Sequence, residues 1–315
     1  MNFKSKSSQH LIGLSLTLAV LVTAGVKTVN NRPNQVMGAE GAAHRAKSLV
    51  KRGEELRQAG EYKEAHVVFF EALALVEENF GKNSFETAAV LNQIGVLGKY
   101  DGHFEESEAA YQRALAIMED TSGLENELSA TIFHNLGGLE HARGRFSEGE
   151  PYARRSVEIR ERLVGPDHVD TAADLAALAA LLDGQAKYEE AEKLYRRALS
   201  TFERVYGTEH YEVAVNLNNL AALYHATGRD VEAEGMYLRA LSIKEKLLGT
   251  EHPDIGVTLN NLAVFYKSQR RYEEALRLYQ RALTIFAKTL DATHPKLTTC
   301  KANYERLLLE MNSRS

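Results

Sequence analysis

The 315-residue chain has a formal net charge of −5 and a sequence pI near 6.2, so no excess of positive charge points to nucleic acid, whose binders present a basic face. Its single cysteine, Cys300, excludes an intrachain disulfide and a cysteine-rich zinc site, and reads as an unreactive thiol. Only 5 prolines, no tryptophan and abundant Leu, Ala, Glu and Arg favour helix throughout.

The N-terminus stands apart. Lys4 and Lys6 precede LIGLSLTLAVLVTAGV, an uncharged run from Leu11 to Val26. A basic segment before an apolar one is the secretory-signal pattern, and the run is shorter than the roughly 20 residues of a spanning helix. Val22 and Ala24 form a loose cleavage pair, and no cysteine follows to carry a lipid. Residues 1–26 are therefore read as a signal peptide or an uncleaved signal anchor, with a buried core helix as the third option. Either of the first two places the rest of the chain in a bacterial periplasm or outside the cell, tethered at the inner membrane by residues 11–26 if they are retained. Residues 27–45 are polar and aperiodic and are expected to be a flexible linker.

From residue 46 one pattern recurs every 42 residues without insertion: GEYKEAHVVFFEAL from Gly60, GHFEESEAAYQRAL from Gly102, GRFSEGEPYARRSV from Gly144, AKYEEAEKLYRRAL from Ala186, GRDVEAEGMYLRAL from Gly228 and RRYEEALRLYQRAL from Arg270. Fixed phase over six copies is the mark of a repeat array. Each copy places an aromatic after the turn (Tyr62, Phe104, Phe146, Tyr188, Tyr272; Asp230 is the exception), then a small residue such as Ala65 or Ser107. A large residue such as Phe69 or Tyr111 follows, and then Ala72 or Ala114. Spacings of three and four put these on one helix face, as core. The first half of each copy is a second helical pattern: Leu91, Ile94 and Gly95, or Leu217, Leu220 and Ala221. Glycine at 60, 102, 144 and 228 suits a helix C-terminus. Ser147 and Glu150 form a capping-box pattern in the third copy, and Pro151, inside its second helix, suggests a bend or drift without consequence.

These columns resemble the tetratricopeptide repeat over residues 46–298, and the longer unit is similar to the repeats of kinesin light chains and their bacterial relatives. The frame of Leu-Gly, Gly-x-Tyr-x-x-Ala, Tyr and Ala separates it from HEAT and armadillo arrays, and the missing Trp-Asp signature from propellers. The resemblance implies an all-α fold: a right-handed α-solenoid of six stacked helix-turn-helix repeats, because one helix pair cannot bury its own apolar face. First helices then line a concave groove, second helices form the outer wall, and residues 299–315, with Tyr304, Leu307, Leu308 and Leu309, cap the end.

In kinesin light chains the LNNLA asparagines contact cargo peptides, and the resemblance carries that role to Asn218, Asn219, Asn260 and Asn261. Asn92, Gln93, His134 and Asn135 occupy the same columns in earlier repeats, whereas Ala176 and Ala177 replace them in the fourth. An amide offers donors and an acceptor to an extended peptide backbone; hydrogen bonding between neighbouring helices is the competing use. Further along, Arg57, Lys99, His141, Asp183, His225 and Lys267 form a mostly basic column, with His225 and Lys267 in the same groove. It points to acidic side chains on the ligand, or to ordinary solvated charge. His168, His210, His252 and His294 recur in the loops between repeats, about 10 Å apart by helix stacking and so too far to share one metal; they are expected to start or end helices. Arg113, Arg155, Arg197, Arg239 and Arg281 are expected to pair with glutamates on the outer wall. No HExxH, phosphate loop or GxSxG occurs, and no cofactor or metal is expected. The function expected is a non-enzymatic scaffold for an extended peptide or partner helix, without nucleic acid and with membrane contact only through the N-terminal segment. The alternative is an oligomerising adaptor that uses its outer wall or ends.

Overall fold

The computed structural model describes residues 38–313. The expected signal or anchor, 1–26, and the linker up to residue 37 lie outside the described residues. Two compact units divide at Leu163 and Val164. The first holds α1 (Ala39–Ala59), α2 (Tyr62–Phe80), α3 (Phe85–Asp101), α4 (Phe104–Thr121), α5 (Glu127–Ala142) and all but the last residue of α6 (Phe146–Val164). The second holds α7 (Val169–Gly184), α8 (Tyr188–Tyr206), α9 (Tyr211–Ala226), α10 (Asp230–Leu248), α11 (Pro253–Ser268), α12 (Tyr272–Thr289) and α13 (Pro295–Asn312). No strand occurs among the described residues, so the fold is all-α, as expected. Odd-numbered helices are the first helices of the repeats.

The chain reverses between paired helices through a left-handed residue. Gly60 has φ 80°, and Glu61 N–H then bonds back to Leu56 O at 2.9 Å. Two repeats lack that glycine, yet Ala186 and Arg270 take φ 58° and 61°. The same backward bond forms there, from Lys187 to Leu182 and from Arg271 to Tyr266, both at 2.9 Å. Packing of the helix pair thus overrides a local cost of about 1–2 kcal/mol.

Helix starts differ between the units. Ser84 Oγ accepts from Thr87 N–H at 3.1 Å, and Asn126 Oδ1 from Ser129 N–H at 3.0 Å. In the second unit the recurring histidines cap instead: Nδ1 of His168, His210, His252 and His294 accepts from the N–H two residues on, at 3.1–3.2 Å.

The second aromatic column and the small column are core, whereas the aromatics just after the turn, Tyr62, Phe104, Phe146, Tyr188 and Tyr272, are half-buried. Phe69, Tyr111, Tyr195, Tyr237 and Tyr279 are buried, as are Ala65, Ser107, Ala191, Ala233 and Ala275. Ring and first helix touch closely. A methyl group on Gly53 would fall 2.7 Å from the Phe69 ring, and one on Gly95 would overlap the Tyr111 ring. Within each unit, a first helix packs on the second helix before it and on the preceding first helix: α3 on α2 and α1, α5 on α4 and α3, α9 on α8 and α7, α11 on α10 and α9, α13 on α12 and α11.

Four details depart from the sequence reading. Residues 39–45, assigned to the linker, are the opening turns of α1, because Ala42 and Ala46 on one face are buried. Ser147 cannot cap α6, since the helix begins one residue earlier at Phe146, and Glu150 pairs with Arg154 at 2.8 Å instead. The helix continues through Pro151. The last helix starts at Pro295 rather than residue 299, with Leu297, Cys300 and Leu307 buried and Leu309 71% exposed. Burial raises the Cys300 thiol to about 11, in keeping with an inert group. The arginine column does meet glutamates, mostly across repeats: Arg113–Glu77 at 2.6 Å, Arg239–Glu203 at 2.7 Å and Arg281–Glu245 at 2.6 Å, with Arg155 also meeting Glu158 on its own helix at 3.1 Å. Arg155 meets Glu125, and Arg197 donates to Pro166 O at 2.8 Å.

Overpacking costs about 1–3 kcal/mol, so Gly95→Val is expected to lower the urea midpoint. Gly235→Ala, where an added methyl meets nothing within 4 Å, is expected to raise stability by roughly 0.5–1 kcal/mol through helix propensity. Burial lowers the His210 pKa below its ordinary value, and only a deprotonated Nδ1 accepts. Its cap is present above the usual histidine pKa of about 6.5 and is lost as pH falls through the lower folded value. His210→Asn keeps the cap, so at pH ~5 it should exceed the wild type in stability by up to about 1 kcal/mol. The two should match at pH ~8; urea melts at both pH values measure the difference.

Candidate functional site

The asparagine columns fall where neighbouring first helices run side by side, and they bond to one another. In the second unit, Asn303 Nδ2 donates to Asn260 Oδ1 at 3.2 Å, and Asn260 Nδ2 to Asn261 Oδ1 at 3.4 Å. Asn261 Nδ2 donates to Asn218 Oδ1 at 3.4 Å, and Asn218 Nδ2 to Asn219 Oδ1 at 3.3 Å. Five amides on α9, α11 and α13 thus form one head-to-tail ladder. In the first unit Asn135 Nδ2 donates to Asn92 Oδ1 at 2.9 Å. The ladder runs no further into α7, where Ala176 and Ala177 have no amide to offer.

Burial divides the candidates. Asn92, Gln93 and Asn218 are 1%, 5% and 6% exposed; Asn218 is an interior link of the ladder, and Asn92 accepts the Asn135 bond. His134, Asn135, Asn219, Asn260 and Asn261 are half-buried, with one edge at the surface. Each amide has two N–H groups and two lone pairs; a link spends one of each. Interhelix bonding and ligand contact are therefore compatible at the half-buried positions.

Asn303 belongs to this set and was missed by ending the repeats at residue 298. It stands 42 residues after Asn261, in the phase of a first helix. A second overlooked feature is apolar. One turn beyond the amides, at i+3 and i+4, the half-buried Ala180 and Ala222 and the 39% exposed Val264 share a column.

Much of the basic column is engaged within the chain. Lys267 Nζ lies 3.3 Å from Glu310, His225 Nδ1 lies 2.9 Å from Asp230, and Arg57 sits over the Tyr100 ring at 4.8 Å. Burial raises the Asp183 carboxyl to about 6. Glu192 is held down at about 2, chiefly by Arg229, which also stacks on Tyr224 at 3.7 Å. Arg271 repeats that clamp on Glu234 at 2.7 Å and on the Tyr266 ring at 3.8 Å. No helix among the described residues is long and apolar enough to cross a membrane.

Tetratricopeptide repeat family profiles match residues 44–120, 128–204, 185–246 and 256–296. The chain belongs to the tetratricopeptide repeat family. Among solved structures, this tetratricopeptide repeat protein is similar to BtubC (BKLC) from P. vanneervenii, with 25% identity, 81% of this chain and 94% of that chain covered, and a TM-score of 0.51. It is similar to a Rap protein complexed with Competence and Sporulation Factor, with 13% identity, 86% and 76% coverage and a TM-score of 0.59, a likeness of fold alone. A putative kinesin light chain of Podosopora anserina with nearly identical TPR-like repeats aligns at 23% identity, 63% and 94% coverage and a TM-score of 0.49. No curated protein matches the sequence. The family matches indicate no catalytic family.

Removing a middle link of the ladder strands two partners; removing the end link strands one. Asn218→Ala is expected to cost about 1–3 kcal/mol and Asn219→Ala about 0.5–1.5 kcal/mol, an order that urea denaturation of the two variants checks.

Proposed function

We propose that this tetratricopeptide repeat protein is a non-enzymatic scaffold that holds an extended peptide on the first-helix face of its second unit. The observation that carries the reading is the unspent capacity of the ladder. Asn219, Asn260, Asn261 and Asn303 are half-buried, and each keeps hydrogen-bonding capacity beyond its ladder contacts. A peptide backbone presents donors and acceptors of the same kind, and the apolar strip of Ala180, Ala222 and Val264 offers its side chains a surface. Such amides hold a chain without reading its sequence. Rap, a protein of the same fold, is complexed with Competence and Sporulation Factor, which accords with use of this fold to hold a partner. His225 and Lys267 lie further along the same first helices, and favour acidic side chains on the ligand in exchange for their contacts with Asp230 and Glu310. The apolar run from Leu11 to Val26 favours an exported protein.

A second reading rests on α13. Leu309 on this helix is 71% exposed, and an exposed apolar side chain of that kind suits assembly with another chain.

A displayed random-peptide library panned on the full chain separates the two. Enriched peptides are expected with the wild type, and at least ~10-fold weaker binding, about 1.4 kcal/mol, with Asn219→Ala/Asn261→Ala. Val264→Arg, which leaves the ladder untouched, should weaken binding as well. Peptides that bind both variants as well as the wild type, or no enrichment at all, would remove the first reading.

A further inference from the structure

Four polar side chains meet where α2, α3 and α4 join, in an arrangement that later repeats do not copy. His66 is on α2, Asp101 is the last residue of α3, His103 immediately precedes α4, and Glu106 lies in the first turn of α4. His66 Nε2 is 2.8 Å from Asp101 Oδ2, and His103 Nδ1 is 3.0 Å from Asp101 Oδ1. His66 Nδ1 is 3.9 Å from Glu106 Oε1. One ligand atom from each of His66, His103 and Glu106 falls within 4.8 Å of the others.

The repeat supplies its own comparison. In the phase of the 42-residue step, His66 and His103 correspond to Glu192 and Arg229, and to Glu234 and Arg271. Those pairs are closed salt bridges at 2.6 and 2.7 Å. At the first junction the carboxylate–guanidinium pair is replaced by two imidazoles, and two carboxylates, Asp101 and Glu106, face them. The full positive charge that balances the later junctions is missing, while two nitrogen donors have been gained.

We propose that His66, His103 and Glu106 bind a divalent transition metal of the zinc class, with Asp101 orienting both histidines from behind. The Asp101 side chain is only 8% exposed, and it engages one nitrogen of each ring. A neutral imidazole that donates N–H to Asp101 carries its lone pair on the other nitrogen, which for His66 is the Nδ1 that faces Glu106. This is the carboxylate–histidine–metal relay by which outer groups set the tautomer of a ligand. Zinc takes nitrogen at about 2.0–2.1 Å and carboxylate oxygen at about 2.0–2.2 Å, so tetrahedral ligand atoms stand roughly 3.4 Å apart. The present spread must close by about 1.4 Å, and the side chains of His103 and Glu106, 65% and 40% exposed, have the freedom to do so. Two imidazoles and one carboxylate suit zinc rather than magnesium or calcium, which prefer oxygen alone. The N-terminus of α4 disfavours a cation, but Glu105 and Glu106 in its first turn and the C-terminal end of α3 offset that field. A bound ion would clip α2 to α4 across the first repeat junction.

The full chain, freed of metal with a chelator, is titrated with zinc chloride by calorimetry and with cobalt chloride by visible absorption. One equivalent should bind, cobalt should show the ligand-field bands of a four-coordinate site, and zinc should raise the thermal midpoint. Affinity should weaken in acid, as protons compete with the ion for the ligands. His66→Glu/His103→Arg restores the ion pair of the later junctions; it should fold as the wild type does and lose the site. His103→Ala, at a largely exposed position, tests the ligand without burdening the fold, and Asp101→Asn should weaken zinc roughly 10–100-fold. Equal zinc uptake by the wild type and both histidine variants, or no uptake by any, overturns the proposal.

Discussion

In every repeat but the third, where Ala153 takes the place of the ring, a ring from the second helix is buried against the first, and the fold depends on that close approach. Gly53 under Phe69, Gly95 under Tyr111 and Gly256 under Phe286 are the tightest cases. The approach buries a large aromatic surface, worth on the order of 2–3 kcal/mol for each ring by area, and it fixes the crossing of the pair. The left-handed turn residue follows from it, since the backbone must reverse within a few residues for the ring to reach its seat. That need holds Ala186 and Arg270 in a conformation that alanine and arginine disfavour.

A helix pair built this way still has apolar surface to cover, and its neighbour within the unit covers it. The neighbour also brings polar groups into register. Amides join first helices at a sequence offset of 43 residues or within one helix, and ion pairs such as Arg229–Glu192 and Arg271–Glu234 join repeats at an offset of 37. The exposed pairs each contribute little, in the range of about 0–1 kcal/mol. Their role is to set phase, since a slip of one helical turn would misalign every pair together. The amides are different, because several are buried and a stranded buried amide is costly.

Most of the fold was legible because the repeat made its own alignment. Columns at a step of 42 identified the core aromatics, the small residues, the turn glycines and the helix-starting histidines, and the structure places each as the periodicity implied. The asparagine columns were legible as positions but not as partners, since spacing alone cannot say whether an amide faces a ligand or the next amide. Asn303 was hidden by a boundary set where the turn pattern ceased, although the first-helix phase continued. The start of α1 was hidden by glycine and polar residues that mask Ala42 and Ala46. His66 and His103 escaped for the opposite reason. Recurring histidines mark their own column, whereas these two break theirs, and it is the fold that brings them within reach of Asp101.

The constant offsets of the bonds between neighbours bear on how such a chain grows. A donor in one copy finds its acceptor a fixed number of residues away in the adjoining copy, and not at any unique address. Unequal crossing-over that duplicates or deletes one 42-residue stretch therefore hands each surviving side chain an equivalent partner. Length becomes a trait that heredity can vary in whole steps, while a single-residue insertion inside a copy shifts the offset of every bond that spans it and leaves bonds between later copies in phase.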